Sequence, residues 1–251
     1  MDKSLNYTPE SVAGKSILIT GGTTGIGRAT AILLASQGAN IITMGSNQEH
    51  LDDALEDIKK NASGSVHGFV ADLSTEEGIQ KVFSEVDSQS DSLDILVNNA
   101  ALPYGSATEG NYQEWKRILD TNLLAYMACT NEAIKRMKEK GEGHIVNIGS
   151  MSADVREETS SVYVGTKSGI QGFSNSIRKE INPAGIKVSL IEPGAVDTDM
   201  QAENTEKKKE NVENLEMLTA DDIAVAVLYC LTQPKRCDVV ELKIRPHLQL
   251  I

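Results

Sequence analysis

Cysteine is scarce in this sequence of 251 residues, which contains only Cys129, Cys230 and Cys237. These positions form neither a Cys-x-x-Cys pair nor a metal-ligand spacing, and the four histidines are scattered along the chain. The pattern therefore excludes a disulfide framework and a zinc site. From the spacing we predict no metal site. Reduced thiols are typical of the cytosol, so we also predict a cytoplasmic location.

Excess basic charge and long apolar runs are also missing. Lys and Arg number 24 against 36 Asp and Glu, a formal net charge of −12, whereas nucleic-acid binding needs clustered positive charge. No segment approaches the roughly 18 consecutive apolar residues of a membrane-spanning helix. The first residues, "MDKSLNYTPESVAGKS", lack the apolar core of a signal peptide. We predict a protein with no nucleic-acid or membrane partner.

Short apolar runs alternate with stretches of helical periodicity, and with only 4% aromatic residues the core must be aliphatic. We predict strands at 16–20, 40–44, 66–71, 93–99, 144–149, 186–192 and 239–244. We predict helices at about 25–37, 47–61, 75–90, 111–140, 160–182 and 219–232. Apolar strands that alternate with helices indicate a parallel sheet covered on both faces. The predicted fold is α/β, a Rossmann-type doubly wound parallel sheet of about seven strands.

No shift in composition marks a second domain, so residues 1–251 are predicted to form one domain. The charge-dense segment 199–218, "DMQAENTEKKKENVENLEML", is a solvated helix or loop in the simplest interpretation. Its position after a predicted strand also suits a mobile cover over a ligand. We predict that it is a substrate lid within the single domain.

A glycine-rich turn joins the first predicted strand to the first helix in "ILITGGTTGIGRATAILLA", with Gly21, Gly25 and Gly27 at the turn. Glycine lets backbone N–H groups approach a pyrophosphate, and the helix N-terminus adds positive potential. No Gly-Lys-Ser/Thr follows, so the turn is not a P-loop. A tight turn that binds nothing stays open as an alternative, but the pattern favours nucleotide binding over nucleotide hydrolysis.

Polar residues follow several other predicted strands, where the carboxyl ends of a parallel sheet meet. Asp72, Asn99, Ser150 and Thr198 occupy such positions. Taken singly, each could be a strand cap or a turn residue. The helix 160–182 adds a tyrosine and a lysine four positions apart, which places them on one helix face. Their convergence on one sheet edge predicts a ligand site.

At this point the chain resembles the compact single-domain branch of the short-chain dehydrogenase/reductase family. The matching motifs follow the order of that family and are "TGGTTGIG" (20–27), "ADL" (71–73), "NNAA" (98–101), "DTNLLA" (120–125), "IVNIGS" (145–150), "YVGTK" (163–167) and "EPGAVDTDM" (192–200). Ala101 departs from the glycine usual there. The resemblance implies a dinucleotide-binding and catalytic domain that interconverts a ketone or aldehyde and an alcohol by NAD(P)-dependent hydride transfer.

The candidate catalytic residues are Asn122, Ser150, Tyr163 and Lys167. A free phenol has a pKa near 10, and an ammonium one helical turn away favours the phenolate, so Tyr163 is the candidate general acid/base. Ser150 would stabilise charge developing on the substrate oxygen. The resemblance implies that Lys167 also binds the nicotinamide ribose and that Asn122 holds a water linking the lysine to solvent.

The resemblance also implies the cofactor contacts, which lie at the glycine turn and at the ends of the later strands. They are Gly21, Thr24, Gly25, Ile26, Gly27, Ser46, Asn47, Asp72, Leu73, Asn99, Ala100, Tyr163, Lys167, Pro193, Gly194, Val196 and Thr198. A carboxylate at the end of the second strand would bind the ribose 2′-OH of NAD and repel a 2′-phosphate. That position is Gly45, followed by Ser46 rather than Arg. We expect NADP(H) in preference to NAD(H).

The substrate-binding candidates are Ser150, Met151, Tyr163, Tyr104, Val155 and Met200. We expect a small-molecule carbonyl or alcohol, whose identity these loops do not specify. Two alternatives stay open: a catalytically idle NADP(H)-binding sensor or scaffold, and a sugar-nucleotide epimerase or dehydratase, although such enzymes usually have a longer C-terminal domain. The resemblance further implies a homodimer or homotetramer packed through helices 111–140 and 160–182.

Overall fold

The computed structural model describes residues 7–200 and 204–249. Its seven strands form one parallel sheet in the order β3-β2-β1-β4-β5-β6-β7. The strands are β1 (Ser16–Thr20), β2 (Asn40–Gly45), β3 (Val66–Val70), β4 (Ile95–Asn98), β5 (Gly143–Ile148), β6 (Ile186–Pro193) and β7 (Glu241–Ile244). The predicted α/β doubly wound parallel sheet is confirmed.

Helices cover both faces of the sheet. They are α1 (Gly25–Ser36), α2 (Gln48–Asn61), α3 (Glu76–Gln89), α4 (Tyr112–Leu119), α5 (Ala125–Lys140), α6 (Ser152–Val155), α7 (Ser161–Ile181), α8 (Thr205–Glu213) and α9 (Ala220–Leu231). Several begin at a side chain that accepts a free backbone N–H: Asn47 caps α2, Thr75 caps α3 and Asn111 caps α4. None of the helices within 7–200 and 204–249 is long and apolar enough to cross a membrane.

Alternation along the strands divides the core into two apolar layers. Ile17 and Ile19 of β1 pack on one face with α1 and α9, and Leu18 between them packs on the other with α3 and α5. The chain order reverses between β1 and β4, because β2 and β3 lie on one side of β1 and β4 to β7 on the other. This reversal leaves a crevice at the carboxyl ends of the strands, where ligands bind in open α/β sheets.

The structure corrects one predicted helix and adds the helices α6 and α8. The stretch 111–140 is not one regular helix, since a π-helical turn at Asp120–Leu124 separates α4 from α5. The loop after β5 contains the short helix α6, and the predicted lid contains α8 together with residues 201–203, which lie outside the described residues. A hydrophobic period of 3.6 residues does not reveal a single widened turn, and a four-residue helix is too short to show a period.

Candidate active site

The glycine turn follows β1 and begins α1. Gly21 has φ = +66° and Gly25 has φ = +49°, in the left-handed region that favours glycine. A Cβ at Gly27 would lie 2.2 Å from the carbonyl oxygen of Gly21 and 2.5 Å from Nδ2 of Asn99. The turn therefore needs glycine at these positions, and it brings the start of α1 close to the end of β1.

Asn99 braces this turn from the end of β4. Its Nδ2 donates to the carbonyl oxygens of Thr20 and Gly21, at 3.0 Å each. The Thr20 hydroxyl in turn accepts from the backbone N–H groups of Asn99 at 3.0 Å and Ala100 at 3.1 Å. The resemblance implies that Asn99 lies near the adenosine ribose. In the structure its Nδ2 is hydrogen-bonded to the glycine turn, and the residue also lines the crevice.

Two cavities occupy the crevice, of about 250 Å³ beside the glycine turn and about 380 Å³ beside Tyr163. Five lining residues are common to both: Ile26, Asn99, Ala101, Thr198 and Met200. The cavities therefore form one continuous groove along the strand ends. A groove with a glycine cradle at one end and the tyrosine at the other suits an extended dinucleotide.

The far end of the groove is lined by Ser46, Asn47, Asp72 and Leu73. Asp72 accepts hydrogen bonds from the backbone N–H (2.9 Å) and hydroxyl (2.8 Å) of Ser74, and the backbone bond lowers the pKa of its carboxyl. The Asn47 side chain accepts from the N–H of His50 at 3.0 Å. The Ser46 side chain is exposed here, so it remains accessible to a ligand.

The near end is built on α7, where Tyr163 and Lys167 lie one turn apart. The buried Lys167 Nζ donates to the carbonyl oxygen of Ile148 at 3.0 Å and lies 5.6 Å from the centroid of the Tyr163 ring. Burial lowers the pKa of Lys167 to about 8, and the Glu192 carboxylate opposes this by raising it. The lysine thus remains mostly an ammonium at neutral pH.

The pKa of Tyr163 is shifted in the opposite direction, upward from its usual value. Burial raises its pKa to about 12, a hydrogen bond with Ser150 lowers it, and the Glu157 carboxylate raises it. At neutral pH its phenol is therefore protonated and able to donate a proton. The pair combines a neutral acid with a nearby cation that favours the phenolate left behind.

Ser150 follows β5 in a segment held against the end of β6. Gly149 N donates to Ile191 O at 2.7 Å, and Met151 N donates to Pro193 O at 2.9 Å. These two bonds flank Ser150 and extend the parallel pairing of β5 and β6 beyond the strand end. The serine is thereby held beside Tyr163 by backbone structure.

Asn122 lies in the π-helical turn and is fully buried. Its Oδ1 accepts from Leu102 N at 2.8 Å, and its Nδ2 donates to Leu102 O at 2.9 Å. Leu102 belongs to the segment that continues to Pro103 and Tyr104 in the wall of the near cavity. The side chain of Asn122 therefore supports this wall from behind.

All the predicted site residues except Gly27 and Asn122 line the groove. Sequence reasoning did not single out Ser152 or Gln249, which line the near cavity together with Glu157. Gln249 arrives from the C-terminal tail, where its Oε1 accepts from Ala195 N at 3.1 Å. No local pattern in the sequence marks this contact.

Known proteins are similar to this chain over most of its length. A sequence profile of the short chain dehydrogenase family matches residues 15–209. An uncharacterized oxidoreductase of Staphylococcus epidermidis is 34% identical over 239 residues, covering 94% of this chain and 98% of the relative. One from Staphylococcus aureus strain USA300 is 32% identical over 235 residues, covering 92% and 97%.

Solved structures show the same fold. A dehydrogenase/reductase from Sinorhizobium meliloti has a TM-score of 0.84 at 27% identity, with 94% of this chain and 95% of that chain covered. L-Sorbose reductase from Gluconobacter frateurii, solved with NADPH and L-sorbose, has a TM-score of 0.85 at 22% identity, with 94% and 97% covered. The resemblance stated from the motifs is confirmed: this chain is an oxidoreductase of the short chain dehydrogenase family.

Proposed function

We propose that this protein is an NAD(P)-dependent oxidoreductase that interconverts a ketone or aldehyde and an alcohol, with Tyr163 as general acid/base. One observation carries the proposal. Tyr163, Lys167 and Ser150 surround a cavity that continues along the strand ends to the glycine turn. A dinucleotide on that turn would have its reactive end in the cavity that these three residues line.

The chemistry follows from the positions of these groups. A nicotinamide coenzyme held between the glycine turn and Lys167 would supply or accept the hydride. During reduction the substrate oxygen receives a proton from the Tyr163 phenol, while Ser150 stabilises negative charge developing on that oxygen. The Lys167 ammonium stabilises the resulting phenolate. During alcohol oxidation the same groups act in reverse, and Tyr163 accepts the proton.

The coenzyme proposed is NADP(H) in preference to NAD(H). The end of β2 carries Gly45 and Ser46, so no carboxylate there repels a 2′-phosphate. Arg28 is engaged in ion pairs with Asp53 at 2.7 Å and Asp57 at 2.5 Å, and Arg117, which lines this end of the groove, helps to lower the pKa of the Asp72 carboxyl. The preference therefore rests on missing repulsion. The NADPH complex of L-sorbose reductase is consistent with it.

The proposed substrate is a small molecule without a carboxylate or phosphate near its carbonyl group. Among the described residues, Glu157 is the one acidic side chain that lines the near cavity, and its Oε1 accepts from the Ser152 hydroxyl at 2.9 Å. The one cationic side chain there, Lys167, donates to Ile148 O and lies 5.6 Å from the centroid of the Tyr163 ring. A substrate anion would find repulsion there without a free cation.

Two further features belong to the proposal. Segment 199–218 would cover the substrate within the single domain. Lys208 of α8 anchors this segment, because its Nζ donates to Thr198 O at 2.8 Å.

A second copy of the chain would pack on the outer side of α4 and α5. Exposed apolar side chains occur there at Tyr112, Leu119, Leu124 and Met127.

The test is a panel of ketones, 3-oxoacyl thioesters and alcohols followed by NAD(P)H absorbance. Tyr163→Phe is expected to lower kcat/KM by roughly 10²- to 10⁴-fold, the usual contribution of a general acid/base. Tyr229→Phe, at an exposed tyrosine of α9, is the matched control and should keep full activity. Coenzyme binding by both variants would show that they fold. Undiminished turnover in Tyr163→Phe contradicts the proposed mechanism, and coenzyme binding without turnover by any substrate favours the idle sensor or scaffold.

A further inference from the structure

Glu192, at the end of β6, is a completely buried carboxylate that the proposed mechanism does not use, with 0% of its surface exposed. It stands between Ile191 and Pro193, whose carbonyl oxygens accept the backbone hydrogen bonds on either side of Ser150. Burying an unpaired carboxylate is costly, so its partners and its effects on neighbours need an account.

The Glu192 carboxylate and three side chains from three other elements form a ring. Gln171 Nε2 donates to the two carboxylate oxygens of Glu192 at 3.3 and 3.4 Å and to Asp154 at 3.1 Å. Lys243 Nζ lies 3.7 Å from Glu192 and 2.5 Å from Asp154. The ring joins β6, β7 and α7 to α6, the short helix that forms one wall of the near cavity.

Glu192 also lies against the residues that hold Lys167. A Cβ on Gly149 would lie 3.1 Å from Cγ of Glu192, so the side chain packs directly on Gly149. The preceding residue, Ile148, provides the carbonyl oxygen to which Lys167 donates. Gln171, which binds Glu192, follows Lys167 by one helical turn. The buried Glu192 and Lys167 are therefore connected in two ways, through the Ile148–Gly149 backbone and through the face of α7 that carries Lys167 and Gln171.

The surroundings of Lys167 contain no other carboxylate that acts on it within the described part of the chain. The rings of Tyr163 and Tyr126 lie with their centroids 5.6 and 5.9 Å from the Lys167 Nζ. Glu192 itself faces Lys243 and Glu241 from β7, Asp154 from α6, and Gln171 from α7. Burial raises the pKa of Glu192, Glu241 and Asp154 raise it too, and Lys243 and Gln171 lower it.

We propose that Glu192 is a positioning residue for the catalytic pair: its buried carboxylate, held by Gln171 and Lys243, keeps Lys167 in the ammonium form. The catalytic consequence rests on the proposed function, whereas the electrostatic coupling does not. A charged Lys167 favours the Tyr163 phenolate. Loss of the carboxylate would let the buried lysine lose its proton at a lower pH and would leave Tyr163 without its cation.

The coupling is tested by titrating Lys167 directly, through the ¹⁵Nζ resonance of lysine-labelled protein assigned with Lys167→Met. Glu192→Gln has the same shape and still accepts from Gln171, and it is expected to lower the midpoint for Lys167 by about one pH unit. Glu241→Gln removes a carboxylate that contacts Lys243 at 3.1 Å, without acting on Lys167, and should leave the midpoint unchanged. Equal midpoints in Glu192→Gln and the unmutated protein would overturn the proposal.

A measurement on the unmutated protein covers the case in which Glu192→Gln does not fold. The ¹³C carboxyl resonance of Glu192 should show an inflection at the midpoint of Lys167, because coupled groups sense each other's ionisation. A Glu192 carboxyl resonance without an inflection at the midpoint of Lys167 would also overturn the proposal.

The activity arm separates this proposal from the proposed function. With a substrate in hand, the alkaline limb of alcohol oxidation should move to lower pH in Glu192→Gln, and Glu192→Asp should restore part of the shift. A role in structure alone would raise KM or lower Tm with the pH profile unmoved, which contradicts the proposal. If the NMR midpoint shifts but no substrate is turned over, the coupling stands and the proposed function fails.

Discussion

Asn122 and Leu102 are joined by two hydrogen bonds, from Leu102 N to Oδ1 at 2.8 Å and from Nδ2 to Leu102 O at 2.9 Å. The side-chain amide thus pairs with a peptide unit as a neighbouring strand would. The π-helical turn widens the helix at this point and directs the amide toward the segment that leads to Pro103 and Tyr104. One wall of the near cavity depends on that pairing.

Asn122→Asp should therefore weaken both the fold and the site. The variant keeps the acceptor for Leu102 N but loses the donor to Leu102 O, and it leaves a buried carboxylate beside a carbonyl oxygen. An unsatisfied buried group costs about 1–3 kcal/mol, and a misplaced wall should lower kcat/KM by roughly tenfold or more. Denaturant unfolding and steady-state kinetics measure the two effects. Asn131→Asp, at an exposed position of α5, is the control, and equal losses in both variants would contradict this role.

Gly27→Ala tests the glycine turn. The added methyl group would lie 2.2 Å from Gly21 O, so the backbone of the turn has to move. We expect coenzyme affinity to fall at least about tenfold, measured as the Kd by calorimetry. Gly172→Ala is the matched control, because a Cβ at Gly172 meets no atom within 4 Å and the residue is exposed on α7. Unchanged affinity in Gly27→Ala would mean that this turn does not hold the coenzyme.

The sheet, its order of elements and most of the groove were predictable from sequence, because apolar strands and a glycine turn have local signatures. Tyr163 and Ser150 lie at the predicted places for the same reason, since strand ends and helix faces place them. The pairing of Asn122 with Leu102 was not predictable, because it depends on one widened helical turn. Gln249 was missed since its contact with Ala195 joins positions far apart in the chain.

The burial of Glu192 was predictable from the sequence. It is the one charged residue in the second half of the apolar run "IKVSLIEPG", where alternation places it on a face of the sheet that helices cover. A carboxylate at such a position must be paired or must act on a neighbour. Which of the two applies depends on Gln171, Lys243 and Asp154, and only the packing of α6, α7 and β7 brings these together.

Ser46→Arg should raise the preference for NADP(H). Ser46 is exposed at the end of the groove, and a guanidinium there provides a bidentate partner for a 2′-phosphate. We expect the ratio of kcat/KM for NADPH to that for NADH to increase roughly tenfold or more. Substitution at Gly45 is less suitable, because a Cβ there would lie 2.6 Å from the side chain of Thr23.

Ser46→Ala is the control for that experiment and should change the ratio little. If the unmutated protein already prefers NADH, the proposed coenzyme preference is wrong, whatever the arginine does. If the arginine leaves the ratio unchanged, the 2′-position of the ribose does not lie beside Ser46.

Glu157→Gln should shift the pH dependence of the reaction. The pKa of Tyr163 is about 12, raised first by burial, lowered by Ser150 and raised by Glu157, so removal of the carboxylate lowers it. Alcohol oxidation needs the phenolate, so its rate at a pH below the pKa of Tyr163 should rise in Glu157→Gln. Carbonyl reduction needs the phenol, so the alkaline limb of its pH profile should move to lower pH in this variant. Because Glu157 is exposed, solvent screens it, and we expect a gain in oxidation of only roughly two- to fivefold at low salt. The measurement is kcat against pH in both directions at low and high ionic strength.

The control for Glu157 is its neighbour. Glu158 is also exposed but does not line the near cavity, so Glu158→Gln should leave both pH profiles unchanged. Added salt should shrink the effect of Glu157→Gln, because screening weakens a charge that acts through partly solvated space. An effect of the same size at high salt, or in both variants, would mean that Glu157 does not act on Tyr163 through its charge.

Glu157→Gln should also reduce the ratio of kcat/KM for neutral substrates to that for anionic substrates. The reason is that Glu157 is the one acidic side chain that lines the cavity in the described part of the chain, and the glutamine is neutral.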